Sequence, residues 1–598
     1  MAVRLQHKYA LAHEKAFVNG SWRQSKSGAT FPVFNPANGE VVCNVTDCSS
    51  EDVEDAVQAA IAAFKSFKET TAKERSAMLL KFYELQNKHA EDLAKLMTAE
   101  NGKPMVESRS EVVYGASFLE WFAAEARRIY GDYVPAPVKG REMVFIKQPV
   151  GVTAIITPWN FPNAMITRKI GAALAAGCTC IIKPAPETPL SALALAQLVH
   201  EAGFPPGTVN VLPSSEKTTP GVGRALCEHH QIHALSFTGS SAVGKLLLKQ
   251  CADSVKKVSL ELGGNAPFIV FDTADLEKAV NGALACKFRN TGQTCVSANR
   301  ILVQEGIHDK FVAALTEAIQ RRMKIGDGFE PDTTLGPLIN AKAVEKVEHH
   351  VADAIKKGGK VIVGGKRHAL GGNFFEPTLV TNVNRSMLVC AEETFGPVAS
   401  VIKFKTEEEA VELANSTRVG LAGYFYTENI AQGWRVAKAL EVGMVGVNEG
   451  IISCAEAAFG GVKESGLGRR KRKGNVSKQR SARSRGFVER LFCLYTRKVL
   501  APSNVKGGQR FLLRSDLIDQ GGLLLAKAGS NRVAWVEGDH GAEAVALPVA
   551  AWTTSRPSEC RFVGTACRQG PDDDGGLLPS GSDVWDQSGT SGFETGGP

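Results

Sequence analysis

The stretch LSFTGSSAVGKL, residues 235–246, reads as a strand, a glycine-rich turn and the start of a helix. Gly239 and Gly244 stand five residues apart. Such a turn aims backbone N–H groups and a helix N-terminus at a phosphate. It is not the three-glycine dinucleotide fingerprint. It does match most of a triphosphate loop, G-x-x-x-x-G-K, but Leu246 stands where Mg²⁺ ligation needs Ser or Thr. That disfavours an NTPase. Tight packing of strand on helix accounts for the two glycines equally well.

Outward from this stretch the pattern alternates. Apolar runs VTAII, CTCIIK, TVNVL and HALSFTG are separated by helical stretches over 163–176, 188–202, 217–228 and 241–252. Continuous apolar strands with helices between them predict a parallel sheet covered on both faces. A second α/β segment follows: VSLEL, PFIVF, a helix from about 275, RILVQ, a helix from about 307, and further units to about 448. The two α/β domains join near 255–262. Upstream, residues 51–68 place Val53, Val57, Ile61 and Phe64 on one helical face, with Ser49, Ser50 and an acidic start suited to its N-terminus. Helical patterns continue near 72–99 and 106–129, and 130–150 reads as a hairpin around Lys139-Gly140.

The chain has 598 residues, 44% hydrophobic and 22% charged, a soluble globular composition. No run approaches the ~20 apolar residues of a membrane-spanning helix. The net charge of +8 is weighted toward a basic cluster after residue 468, so it says little about the partners of the main body. Thirteen cysteines without a repeating framework favour a reducing compartment. The opening MAVRLQHKYALAHEKAF is basic but short and lacks serine, leaving cytosol and mitochondrial matrix both open. From Arg469 the character changes to RRKRKGNVSKQRSARSR and then to Gly, Ser and Asp. Residues 470–598 read as mostly disordered. The basic run resembles a nucleic-acid patch, but a solvated tail is the favoured reading, and no nucleic-acid partner is expected.

The chemistry concentrates at strand ends. KFRNTGQTCVSANR, residues 287–300, sets Cys295 in an open polar loop with Arg289 upstream. VSLELGGNAPF ends a strand with Glu261, a carboxylate placed to accept a proton from water. IITPWNFPNAM ends another with Asn160, an amide donor suited to an oxyanion. Each has a plain structural alternative: a packed thiol, a capping acid, an Asx turn. Together with the phosphate turn they suggest oxidation of a carbonyl through a thioester.

The motifs TPWNFP, KPAPETP, FTGSSAVG, LELGGNAP, NTGQTC, EETFGP and FGGVKESGLGR run in order between about Phe17 and Arg469. Their collinear set resembles the aldehyde dehydrogenases. GLAGYFY, GMVGVNEGIIS and FRNTGQTC are most similar to the subgroup acting on succinate semialdehyde. The resemblance implies a Rossmann-type NAD(P)-binding domain from 1–129 and 151–257, an oligomerisation hairpin at 130–150, a catalytic domain at 258–448 and a return segment at 449–469. It implies Cys295 as nucleophile, Asn160 as oxyanion donor and Glu261 as base, with no metal. NAD or NADP would be held by Thr157, Trp159, Lys183, Gly239, Ser240, Gly244, Leu262, Glu393 and Phe395. Arg168, Arg289 and Ser453 would hold the far carboxylate of a small aldehyde, since guanidinium bonds a carboxylate through two parallel N–H groups. Another semialdehyde, such as glutarate semialdehyde, is the alternative substrate. A non-catalytic product that fails to assemble is the alternative outside catalysis.

Three departures carry weight. Pro186 stands where many relatives have a glutamate that repels a 2′-phosphate, so NADP⁺ is expected to be tolerated beside NAD⁺, with Lys217 as a helper. Ser297 replaces a second cysteine, so no reversible disulfide is expected in this loop. Relatives form homodimers or homotetramers through the hairpin and a terminal strand. Here RKRKGNVSKQ replaces that strand, which places assembly in question.

Overall fold

The computed structural model describes residues 9–135, 137 and 142–468, with five short strands beyond them: Ser477–Gln479, Val499–Pro502, Ala526–Ala528, Arg532–Ala534 and Ala546–Pro548. The Lys139-Gly140 turn, residues 1–8 and most of the tail after 468 lie outside the described residues.

The opening stretch supplies the strand Ile232–Thr238 and the helix Ser241–Gln250. Its sheet has eight strands. Five run parallel in the spatial order Val209–Val211, Thr179–Lys183, Val152–Ile156, Ile232–Thr238, Lys257–Glu261. In chain order this is 3-2-1-4-5. The winding therefore reverses between Val152–Ile156 and Ile232–Thr238, and a crevice opens outside the carboxyl ends of those strands. Val152–Ile156 and Thr179–Lys183 are buried along their whole length, as burial on both faces requires. The helices Ala164–Ala175, Pro189–Glu201 and Thr219–Glu228 connect them. Antiparallel strands Ala16–Val18 and Ser21–Arg23 finish one edge, and Gly466–Leu467 finishes the other.

A second eight-stranded sheet runs Lys360–Val363, Thr378–Thr381, Val398–Phe404, Ala298–Gln304, Ala266–Val270, Ala422–Tyr426, Met444–Val447, Val499–Pro502. All neighbours are parallel except the first pair. The strands Asp132–Pro135 and Glu142–Phe145 pair antiparallel, and Lys147–Pro149 pairs with Ser477–Gln479. Residues 507–598 form a separate unit, whose described part is a meander of its three short strands.

Two helical readings need correction. The pattern over 72–99 is two helices, Ala72–Lys88 and Ala90–Asn101, meeting at His89 with ψ 22°. The chain restarts there because Glu91 and Asp92 fall in the new first turn, where the helix dipole favours acids. The first helix, Ser50–Phe67, is capped by a reciprocal Ser49–Asp52 box, as its sequence suggests. Its buried stripe is Val53, Ala56, Val57, Ala60, Ala63 and Phe67; Ile61 and Phe64 are only half-buried. The alanines let the helix lie close on the strand Thr179–Lys183, where Thr179 Oγ1 donates to Ala60 O at 3.0 Å.

Candidate active site

Residues from the carboxyl ends of the first sheet meet residues from the amino ends of the second. Thr157, Trp159 and Asn160 follow Val152–Ile156; Lys183 ends its strand; Gly239 and Ser240 follow Ile232–Thr238; Glu261 and Leu262 follow from Lys257–Glu261. Opposite them, Cys295 precedes Ala298–Gln304, and Glu393 and Phe395 precede Val398–Phe404. The two sides touch at Gly264, where a Cβ would stand 2.7 Å from the carbonyl oxygen of Cys295.

The loop holding Cys295 is shaped by polar contacts. Asn290 and Thr291 adopt positive φ of 50° and 56°, a conformation that costs about 1 kcal/mol or more for each such residue. The Glu107 carboxylate accepts from Asn290 N at 2.9 and 3.0 Å. Thr291 Oγ1 donates to Gly336 O at 3.0 Å, and Gln293 Oε1 accepts from Ile339 N at 2.9 Å. Asn290 Nδ2 also donates to Asn160 O at 2.9 Å, tying this loop to the turn after Ile156. Ser297 is buried and donates to Lys287 O at 3.2 Å.

Cys295 is half-buried and packs against the cluster of Phe161, Ala164 and Met165. Burial, reinforced by the Glu261 and Glu393 carboxylates, pushes its thiol up to about 12, against the opposing charges of Arg168 and Arg289. Only the thiolate is a nucleophile. Without bound ligands the thiol is thus held protonated at neutral pH. Alkylation of Cys295 by iodoacetamide should then climb about tenfold per pH unit from neutrality to about pH 9. Mass spectrometry of Cys295 modification measures this, and a plateau below that pH would contradict it.

Asn160 is buried and spends one amide proton on Gln293 O at 3.0 Å. Its Oδ1 has no hydrogen-bond partner among the described residues. Its own carbonyl is fixed by Lys103 Nζ at 2.7 Å, and Lys103 forms a fully buried ion pair with Glu111 at 2.5 Å. Glu111 also accepts from Asn163 N at 2.9 Å. Glu261 is buried, accepts from Thr238 Oγ1 at 3.3 Å and stands 3.6 Å from Arg168 Nη1.

Arg168 is buried, with Nη2 donating to Tyr114 OH at 2.9 Å and its guanidinium 4.9–5.4 Å from the rings of Phe459, Phe118 and Tyr114. Arg289 is half-buried over the Phe161 ring at 4.9 Å. It lines a small pocket with Thr294, Tyr424, Ile452 and Ser453. Tyr114 joins the two arginines, because its hydroxyl also hydrogen-bonds Ser453 and feels both guanidinium charges.

Most residues assigned to the cofactor follow the strands of the first sheet, and Glu393 and Phe395 face them from the second. Thr157 N donates to Lys183 O at 3.2 Å. Lys183 Nζ is buried, and its one hydrogen bond among the described residues is to Pro184 O at 2.6 Å. Burial lowers this ammonium to about 8. Ser240 is the N-cap of its helix, with Oγ accepting from Val243 N at 3.3 Å, and its proton can still be donated. A Cβ on Gly244 would strike Leu262, so this glycine serves close helix–strand packing. Lys245 turns away to Glu464 at 2.7 Å, which removes the triphosphate-loop reading. The Glu393 carboxylate accepts from Gly264 N at 3.3 Å, and burial raises it to about 7. Trp159 and Phe395 stand edge to face at 5.6 Å. A buried ammonium without a carboxylate bonded to it, a helix N-terminus and a carboxyl held near neutrality fit the hydroxyls and phosphates of a dinucleotide.

The sequence reading missed Lys103, Glu107, Glu111 and Tyr114. Glu107, Glu111, Tyr114 and Phe118 recur at i, i+4, i+7 and i+11 of the helix Met105–Ala126. Two acids on a stripe with an aromatic continuation were the available signal.

With this fold and thiol–carboxylate–amide site, the chain belongs to the aldehyde dehydrogenase family, a family of NAD(P)-dependent oxidoreductases whose model matches residues 22–481. It is 59% identical to the mitochondrial succinate-semialdehyde dehydrogenase of Rattus norvegicus over 76% of this chain and 86% of that one. Among solved structures, an E. coli NADP-dependent enzyme superposes with a TM-score of 0.78 at 50% identity, covering 79% of this chain and 98% of that one. A succinate-semialdehyde dehydrogenase from Burkholderia pseudomallei gives 0.77 at 50% identity with the same coverage.

Proposed function

We propose that this enzyme oxidises succinate semialdehyde to succinate with NAD(P)⁺. The observation that carries the reading is a half-buried thiol, Cys295, between a buried carboxylate, Glu261, and two guanidinium groups, Arg168 and Arg289. The names of the rat and Burkholderia relatives support the substrate.

In this proposal the thiolate of Cys295 adds to the aldehyde carbon. The alkoxide is held by the free Asn160 amide proton and by the Cys295 backbone N–H. A nicotinamide held here would supply the hydride acceptor. Glu261 takes a proton from water as its oxygen adds to the thioester carbon, and the thiolate leaves as the acid forms. Per turnover, aldehyde, water and NAD(P)⁺ give carboxylate, NAD(P)H and two protons. Lys183 and Ser240 would hold the adenosine half, and Glu393 and Phe395 the nicotinamide half, within a cofactor domain of residues 1–129 and 151–257. The catalytic domain is then 258–448, and 449–469 returns to the site.

Arg289 is proposed to select the acid-bearing substrate with Ser453 and Arg168. Arg289→Ala is expected to lower kcat/KM for succinate semialdehyde by about 10²-fold or more, as for a lost buried charge-assisted contact. A neutral aldehyde should change little. A panel of aldehydes followed by cofactor reduction measures this, and an unchanged preference sinks the substrate assignment.

Both cofactors should be accepted. Pro186 carries no charge against a 2′-phosphate, and the E. coli neighbour is NADP-dependent. The ratio of kcat/KM values for NAD⁺ and NADP⁺ tests this; strict rejection of NADP⁺ would overturn it. The rat relative is mitochondrial by name, which supports that compartment here. Exposed Tyr130, Tyr133, Val144 and Ile146 around the hairpin support a subunit contact, although the replaced segment after Arg469 weighs against full assembly. Among the described residues no helix is long and apolar enough to cross a membrane.

A further inference from the structure

Arg168 and Glu261 are both buried, and the guanidinium Nη1 faces the carboxylate Oε1 at 3.6 Å. The other edges of the guanidinium are committed: Nε donates to Ala164 O at 3.3 Å and Nη2 to Tyr114 OH at 2.9 Å. Three aromatic rings close around it. Nη1 makes no hydrogen bond among the described residues, so it is the edge on which a second anion would land. We propose that Arg168 is a positioning residue that holds Glu261 back until the substrate's own carboxylate takes over the guanidinium. This inference rests on the reading above that the thioester forms on Cys295 and that its acyl chain ends in a carboxylate.

The physical case has two parts. A carboxylate paired with a buried guanidinium is a poorer base, since the neighbouring charge favours its ionised form. It is also oriented toward the cation rather than toward water. A four-carbon semialdehyde bonded to Cys295 carries its carboxylate roughly 4 Å from the reacting carbon when extended. That distance keeps the incoming charge inside the cluster where Arg168 already interacts with Glu261, Tyr114 and Cys295. Two carboxylates then compete for Nη1, and their mutual repulsion drives Glu261 toward the acyl group. Thioester hydrolysis is thereby coupled to the presence of the correct acyl chain, and a neutral acyl chain leaves the base locked.

The test uses the full-length enzyme with propanal and no substrate carboxylate. We expect a burst of NADH followed by slow steady turnover, because hydrolysis of the propionyl thioester lags. Adding free formate should raise the steady rate about tenfold and shrink the burst, as the missing carboxylate is supplied in trans. No acceleration at any formate concentration, or inhibition alone, overturns the proposal. In Arg168→Met the propanal steady rate should rise toward the formate-activated level and lose its response to formate; a merely structural role would lower that rate. Acceleration by formate that persists in Arg168→Met also overturns it. If Arg168→Met does not fold, the result on the unaltered enzyme decides alone. Should the unaltered enzyme favour neutral aldehydes over succinate semialdehyde, the underlying substrate reading fails instead.

Discussion

Cys295→Ala abolishes NAD(P)H formation: kcat should fall by at least ~10⁴-fold, as when the nucleophile of a covalent mechanism is deleted. The site offers no substitute. Of the other described cysteines near this loop, Cys286 is buried, and its thiol donates to Val296 O at 3.7 Å. Ser297 is buried and bonded to Lys287 O. The fold should tolerate the change, because the thiol is only half-buried and the loop is held by Asn290, Thr291 and Gln293. Removing it should shift stability by about 1 kcal/mol or less. Cofactor affinity, measured by fluorescence quenching, therefore separates a dead enzyme from an unfolded one. Residual turnover within tenfold of the unaltered protein, with cofactor binding intact, sinks the thioester mechanism.

Much of the fold was legible because its physical causes are local. Val152–Ile156 and Thr179–Lys183 are buried on both faces, and such strands leave unbroken apolar runs. Cys295, Glu261 and Asn160 were legible because polar chemistry at a strand end stands out against those runs. What escaped detection depends on distance in sequence. Lys103 fixes the carbonyl of Asn160, 57 residues away, and Glu107 caps Asn290 across 183 residues. No window of sequence contains both partners. The same reason hid the facing of Arg168 and Glu261, whose strands and helices give each a position but not a side-chain direction. His89 was missed for a different cause: a continuous helical pattern masks a break when both segments keep good helix formers.

Asn160→Ala should slow the enzyme without killing it, lowering kcat by ~10²–10³-fold, the usual effect of one lost oxyanion donor. The surroundings favour a clean measurement. The Asn160 carbonyl, not its side chain, receives Lys103 and Asn290, and alanine keeps that carbonyl. Gln293 O loses the Asn160 amide but retains Asn290 Nδ2 at 3.3 Å. The stability penalty is then that of one net hydrogen bond, about 1 kcal/mol. With its Oδ1 unbonded among the described residues, the amide is not locked into a network that would collapse on its removal. The same oxygen carries negative charge in the thiohemiacetal and again when water adds to the thioester, so the loss falls on both halves of the reaction. Single-turnover NAD(P)H formation and thioester hydrolysis should both slow in Asn160→Ala, with KM changed little. A kcat within threefold of the unaltered enzyme, or a loss confined to one of the two steps, would take the oxyanion role away from Asn160 and leave the backbone N–H of Cys295 to carry it alone.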